Sequence, residues 1–228
     1  MSIGALMANG GALIYSNEGN LGLLDLLSSS PGRILDCGCG AGDNARILSD
    51  RGWHVTGITI DPQEAAVAGQ FCEAVHIADL EKGLPQVINR SFDAVLASHV
   101  LEHLARPERL LGDVGKRLKP GGVLAVALPN IAHYQQRILR LRGQFNYTDA
   151  GQLDRTHLRF YTYGTAIQLL EQNNYELLKL AAEGALPLWK ARKLLRGVAG
   201  RIDGLAVRRQ PNCSDLNAFC SHGLWFMT

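Results

Sequence analysis

Ile34-Leu35-Asp36-Cys37-Gly38-Cys39-Gly40-Ala41-Gly42-Asp43-Asn44 is the stretch around which this 228-residue chain is organised. A short apolar run ending in Ile34 and Leu35 is closed by an acid. Three glycines follow at alternate positions, and Asn44-Ala45-Arg46-Ile47-Leu48 then takes up helical spacing. The pattern predicts a strand, a tight turn and a helix. Such a turn visits backbone angles that a side chain forbids, and without side chains a ligand can lie directly against the main chain. N–H groups at the start of the helix would face that ligand, and Asp36 at the strand's carboxyl end would accept from a donor on it. The plainer alternative is a glycine-rich turn of an α/β protein with no ligand at all.

The spacing narrows the ligand. A dinucleotide fingerprint runs G-x-G-x-x-G, whereas here it is G-x-G-x-G with an acid two residues ahead of the first glycine. In this the stretch resembles motif I of the class I S-adenosylmethionine-dependent methyltransferases. The resemblance implies that Asp36, Gly38, Gly40 and Gly42 hold the methionine end of S-adenosylmethionine. It also implies the fold: a Rossmann-like, doubly wound, mostly parallel seven-stranded sheet with an antiparallel edge strand, plus insertions on the acceptor side.

Composition agrees with one soluble α/β domain. The chain is 46% apolar and 19% charged, with a net charge of only +2, so nothing global demands a nucleic acid or a membrane. Of the five cysteines, Cys37 and Cys39 sit inside the glycine turn, which points to packed thiols in a reducing, cytoplasmic setting rather than a disulfide framework. No basic n-region precedes the apolar residues near Met1, and no run is long enough to span a bilayer. The expected organisation is a single domain over 1–228: an N-terminal lid and helix at 1–32, a cofactor-binding half at 33–130, an acceptor-side insertion at 131–163 and a basic helical insertion at 188–210.

Along the chain, leucines from Leu21 to Leu27 predict a short helix, and Tyr15 ahead of it is a candidate lid residue or a plain surface tyrosine. His54 to Ile60 reads as a β-branched strand, and Asp61-Pro62-Gln63-Glu64 as an N-cap, a proline at the first helical position and an acid at the third. In the resembling enzymes an acid at the end of this strand takes both ribose hydroxyls. Thr59 stands at that place here, with Ile60 beside it, so the ribose contact is expected to be weaker or shared with Gln63; Asp61 is read as the cap.

Glu73 to Ala78 predicts a third strand followed by Asp79-Leu80, the acid and apolar pair that the resemblance assigns to the adenine amino group and ring. Phe92 to Ala97 predicts a fourth strand ending at Ser98, with His99, Glu102 and His103 at i, i+3 and i+4 on one helix face. His99 and His103 are expected to contact the cofactor. Some class I relatives bind magnesium through this segment, but one carboxylate and two imidazoles suit a hard ion poorly, and no metal is expected. The absence of an Asn-Pro-Pro-Tyr-type tetrapeptide disfavours nucleobase amino groups as acceptors. Pro107 opens a helix, Lys119-Pro120-Gly121-Gly122 turns into a fifth strand from Val123 to Leu128, Thr162 caps a further helix, and strands are expected at Tyr175 to Leu180 and Ala218 to Phe226.

The region after the fifth strand carries the acceptor chemistry. Pro129-Asn130-Ile131-Ala132-His133, then Tyr147-Thr148-Asp149, then Leu153-Asp154-Arg155-Thr156-His157-Leu158-Arg159-Phe160 resemble a branch of bacterial class I methyltransferases associated with sugars, glycans and secondary metabolites. A methyl sulfonium is already activated, so the protein's tasks are to hold a nucleophile in line and keep water away. A hydroxyl must also lose its proton, for which an imidazole titrates in the right range. His133 and His157 are therefore candidate general bases or structural residues, with Asn130, Tyr147, Arg155 and Arg159 as candidate acceptor contacts. Asp154 and Arg155 are read chiefly as ties between the insertion and the sheet.

Lys190, Arg192, Lys193, Arg196, Arg201, Arg208 and Arg209, interleaved with Leu188, Trp189, Leu194, Leu195 and Val198, predict a solvated helical cover or homodimer contact, or else a peripheral membrane surface. The leading expectation is an S-adenosylmethionine-dependent methyltransferase acting at oxygen on a small-molecule or glycan-type acceptor, with no nucleic acid partner. The alternatives are a non-catalytic binding module or inactive partner subunit, motivated by Thr59, and an RNA methyltransferase, motivated by the basic stretch.

Overall fold

The computed structural model describes residues 4–7, 13–16, 18–27, 30–183 and 223–227. Strands β1 (Gly4–Met7) and β2 (Leu13–Ser16) pair antiparallel, and helix α1 (Leu21–Leu24) follows. The decisive stretch forms β3 (Arg33–Cys37), a turn and α2 (Asp43–Asp50). Next come β4 (His54–Thr59), α3 (Pro62–Ala68), β5 (Ala74–Ile77), β6 (Phe92–Ser98), α4 (Pro107–Gly115) and β7 (Leu118–Pro129). These five strands are parallel and lie in the order β5-β4-β3-β6-β7. The order reverses between β3 and β6, so the glycine turn leaves β3 at the topological switch point, where ligands on open parallel sheets bind.

Alternate side chains of the same strands feed two cores. Ile34, Val55, Ala94, Leu96, Ala125 and Ala127 pack with Leu23 and Leu24 of α1 and Ala45 and Leu48 of α2. Leu35, Ile58, Val95, Leu124, Val126 and Leu128 face the other way, against Leu110, Leu111 and Val114 of α4. Parallel strands need both faces covered in this fashion, because their crossover helices have nowhere else to lie.

The chain continues through α5 (Tyr134–Leu141), α6 (Tyr163–Gln172), β8 (Lys179–Glu183) and β9 (Gly223–Met227). β9 runs antiparallel between β7 and β8, so the antiparallel strand is one place inside the edge rather than at it. Placed there, its backbone pairs on both sides, with Ala125 to Pro129 and with Lys179 to Glu183.

Local capping chemistry fixes two helix starts. Asp61 accepts from the Gln63 N–H at 2.7 Å with Pro62 next to it, and Thr162 and Thr165 form a reciprocal box at the start of α6. Two expected boundaries are corrected. β7 already begins at Leu118, taking in Lys119 to Gly122 as an irregularity where the pairing with β6 shifts register. β8 begins at Lys179 rather than Tyr175, because the Tyr175 hydroxyl donates to the Leu111 carbonyl at 2.7 Å and holds that segment against α4.

The basic stretch 188–210 and Cys213 and Cys220 lie outside the described residues, as does the part of the expected last strand ahead of Gly223. Among the described residues no helix is long and apolar enough to cross a membrane.

Candidate functional site

The turn after β3 is built around a buried acid. Asp36 is fully buried, and neither of its carboxylate oxygens has a hydrogen-bond partner among the described residues. Burial pushes its carboxyl up to about 7. Gly38, Gly40 and Gly42 all take positive φ, and the loop is pinned by Cys39 N–H to the Ile58 carbonyl at 2.8 Å and Gly42 N–H to the Cys39 carbonyl at 2.9 Å. Cys37 and Cys39 are free, buried thiols whose pKa values burial raises, and Cys72 is pushed up to about 12. They are packing residues: a side chain at Gly57 would meet the Cys39 sulfur at 2.7 Å.

Around this turn the carboxyl ends of the strands gather the other residues singled out in the sequence. Thr59 ends β4, only 4% exposed, and its hydroxyl donates to Glu64 Oε2 at 2.7 Å. The strand end therefore has a carboxylate after all, delivered from the first turn of α3. Sequence reading assigned Glu64 only to helix capping, and a carboxylate five residues beyond the strand position has no simple spacing signature. Ile60 is 68% exposed at this rim, an apolar side chain left uncovered by the protein.

Asp79 caps a short 3₁₀ turn by accepting from the Glu81 N–H at 3.0 Å. Leu80 is buried in the main apolar cluster. Ser98 ends β6, and its hydroxyl accepts from the Asn20 side-chain amide at 3.1 Å. Asn20, which sequence reading passed over, is 4% exposed and also binds the Asn44 side chain through its N–H at 2.7 Å. It thus ties the N-terminal segment to both β6 and α2. Tyr15 lies in β2, paired with Ala5; its side chain is outside the described residues.

His99, Glu102 and His103 do not share a helix face. His99 sits at φ 56, and only Leu101–His103 form a 3₁₀ turn. The reason is tertiary: the Glu102 carbonyl accepts from the N–H groups of Leu158 and Arg159, at 2.8 and 3.0 Å. The Arg159 guanidinium adds two bonds to the Ala105 carbonyl. The Leu-Asp-Arg-Thr-His-Leu-Arg-Phe segment is thereby clamped onto the segment following β6.

Within the clamp, Asp154 accepts from the Thr156 N–H at 2.8 Å and the Thr156 hydroxyl at 2.6 Å. Thr156 in turn faces His103 Nδ1 with its carbonyl at 3.3 Å and its hydroxyl oxygen at 3.2 Å. His103 is thus tied to the insertion through Nδ1. The rings of His103 and His157 meet edge to face at 4.7 Å. His157 is 9% exposed, its Nδ1 lies 3.3 Å from the Gln152 carbonyl, and burial lowers its pKa.

Phe160 stands 6.3 Å from the His157 ring, with Phe145 edge-on to it and the half-exposed Tyr147 tilted against it, and Arg140 lies over Phe145. This aromatic wall brings Tyr147 to the same side as His157. Arg155 pairs with Asp149 at 2.9 Å on the exposed surface, and the Arg159 guanidinium donates to the Ala105 carbonyl. Asn130 is fully buried at the end of β7, accepting from the Ala132 N–H at 2.9 Å, and His133, 1% exposed, packs on Tyr134 at the head of α5. A separate surface hollow lined by Leu111, Gly115, Lys116, Gly122 and Tyr175 opens at the opposite, amino-terminal ends of the strands and holds none of these groups.

Comparison with known proteins gives a consistent picture. A family model described as a methyltransferase domain matches residues 18–180. The chain is 31% identical to the trans-aconitate 2-methyltransferase of Deinococcus radiodurans over 135 residues, 59% of this chain and 50% of that protein. It is 38% identical to the ubiquinone biosynthesis O-methyltransferase of Maricaulis maris over 110 residues, 43% of this chain and 41% of that protein. These matches span half or less of the relatives' own length. In fold it is similar to a SAM-dependent methyltransferase from Archaeoglobus fulgidus, with a TM-score of 0.60 at 18% identity over 87% of this chain and 86% of that one.

Proposed function

The chain belongs to the methyltransferase-domain family, and from that premise we propose that it transfers a methyl group from S-adenosylmethionine to a hydroxyl oxygen of a small-molecule, sugar or glycan-type acceptor. The observation that carries the reading is Asp36: a fully buried carboxylate with both oxygens unpartnered among the described residues, beneath a turn that is open above Gly40. Such an acid is a receptor for a cationic donor, and the α-ammonium of an amino-acid ligand is one. The residues present therefore fit the amino-acid end of the cofactor. When bound, S-adenosylmethionine supplies the activated methyl group.

The remaining tasks fall to the chain's own residues. Glu64, aligned by the Thr59 hydroxyl, is the carboxylate available for the ribose diol, so the missing acid at the end of β4 does not argue for a non-catalytic module. Removing its charge with Glu64→Gln is expected to weaken S-adenosylmethionine binding about tenfold to hundredfold, the worth of a charged hydrogen bond, without a change in fold. Equal affinity by calorimetry would reject this role. Asp79 and the exposed Ile60 offer a polar and an apolar contact for the adenine side, and the aromatic wall of Phe145, Tyr147 and Phe160 offers one to the acceptor.

The two curated relatives are named for small-molecule methylation, one of them at oxygen, which supports an acceptor of that class. His133 and His157 are the candidate imidazoles to take the hydroxyl proton, a role supported by the titration range of imidazole. The reading is tested by following transfer of a labelled methyl group to hydroxylated acceptors. Alanine at the residue that serves is expected to lower kcat by roughly 10²- to 10⁴-fold. Full turnover in both variants would remove the histidine base, and no binding of S-adenosylmethionine by the folded protein would remove the function.

A further inference from the structure

We propose that Glu102, His103 and His157 form a binding site for a borderline divalent metal ion of the zinc, iron(II) or cobalt(II) kind, with positions left open for oxygen ligands. One carboxylate oxygen and one nitrogen from each imidazole lie within 4.8 Å of one another. Neighbouring ligands bound at about 2.1 Å to a common ion stand about 3.0 to 3.4 Å apart, so closing on one asks for side-chain shifts of up to about 1 Å.

Two independent features of the site point to an ion rather than to packing. Glu102 is fully buried, its Oε1 is engaged by His99 at 3.1 Å, and its Oε2 has no partner among the described residues. A buried carboxylate oxygen left in that state is costly, and a cation removes the cost. His103 and His157 each direct Nδ1 at backbone carbonyl oxygens, of Thr156 and Gln152, which must receive an N–H. The lone pair of each ring then falls on Nε2, the tautomer in which metal-bound histidines are held by their outer partners. The Thr156 hydroxyl, oriented by donating to Asp154, adds a second acceptor for His103 Nδ1.

The donor set chooses the ion. Two imidazoles and one carboxylate suit borderline transition metals and leave coordination positions free, whereas magnesium asks for oxygen ligands. Spacing alone groups His99 with Glu102 and His103, but His99 is not among the three clustered donors. The fold replaces His99 by His157, brought from the far side of the insertion by the clamp on Glu102 and Ala105. Metal binding itself does not depend on the methyltransferase reading; where that reading holds, the His157 lone pair is spent on the ion, leaving proton removal to His133.

The test uses the full chain freed of metal with a chelator and titrated with cobalt(II), with zinc(II) affinity measured by competition against a chromophoric chelator. One equivalent is expected to bind, with a d–d spectrum of nitrogen and oxygen ligation, and magnesium is not expected to compete. Glu102→Gln and His157→Ala are each expected to weaken binding by about 100-fold or more, and Thr156→Val, which keeps all three ligands, by about tenfold. Circular dichroism and the unfolding midpoint check that each variant is folded; should the ligand variants fail to fold, the Thr156→Val affinity decides. No stoichiometric binding, a sulfur-to-cobalt charge-transfer band, or affinity unchanged in the folded variants would overturn the site. The titration needs neither cofactor nor acceptor, so its failure and a failure of methyl transfer are read separately.

Discussion

Asp36→Asn is expected to weaken S-adenosylmethionine binding by roughly 30- to 4,000-fold at pH 8, the about 2–5 kcal/mol that follows from taking one partner out of a buried charge pair. The exchange keeps the shape and removes only the charge. The effect is expected to depend on pH in a definite way. In the ligand-free protein burial holds the carboxyl protonated up to about 7. Below that pH the group must give up its proton to pair with an ammonium, so wild-type affinity is expected to fall by about tenfold per pH unit and to level off above pH 7. The Asp36→Asn variant is expected to show no such slope.

Ligand-free stability carries the same signature with the opposite benefit. The folded-state pKa lies above the unfolded one, raised from 3.8 to about 7, so the folded protein binds the extra proton across that window. Its contribution is fully present below the unfolded value and is lost as pH rises towards 7, at about 1.4 kcal/mol per unit. Thermal unfolding of wild type and variant without ligand, at pH 5.5 and pH 8, measures this directly. The variant is expected to be the more stable of the two at pH 8, with the gap narrowing at pH 5.5. Undiminished binding by the Asp36→Asn protein would show that the acid serves the fold and not a ligand.

What could be read in advance was local. The strand, glycine turn and helix from Arg33 to Asp50, the cap at Asp61-Pro62 and the cap at Thr162 each depend on residues within a turn of one another, and each formed where the sequence put it. The alternation of apolar residues in β6 and β7 likewise decides which side chain enters which core, whatever the rest of the chain does. Errors arose where a distant partner decides. Spacing alone put His99, Glu102 and His103 on one helix, yet the Glu102 carbonyl is taken by Leu158 and Arg159 and the helix does not form. Tyr175 resembles the start of a strand until its hydroxyl is seen on Leu111, and Thr59 looks like an acid lost until Glu64 is seen reaching back to it. Pairings of this kind have no fixed offset, so periodicity cannot announce them.

Gly40→Ala and Gly42→Ala are expected to fail in opposite ways, although both glycines belong to one turn and both take positive φ, 52° and 90°. Each substitution strains the backbone by about 1–2 kcal/mol, because a Cβ disfavours the left-handed region. At Gly42 the new Cβ would also stand 2.9 Å from the Ala68 Cα and 3.2 Å from its Cβ, against the backbone of α3, where nothing flexible can yield. Overpacking of that kind adds about 1–3 kcal/mol, a large part of the about 5–15 kcal/mol by which a domain is folded. At Gly40 a Cβ meets nothing within 4 Å among the described residues, so folding loses only the strain. That open space is where the proposed ligand would lie against the main chain, and a methyl group there is expected to lower its affinity roughly tenfold to hundredfold. Denaturant unfolding and calorimetric titration of the two variants separate the cases: the larger loss of stability belongs to Gly42→Ala, the larger loss of affinity per folded molecule to Gly40→Ala. Wild-type affinity in a folded Gly40→Ala protein would mean that the ligand lies elsewhere than over this turn.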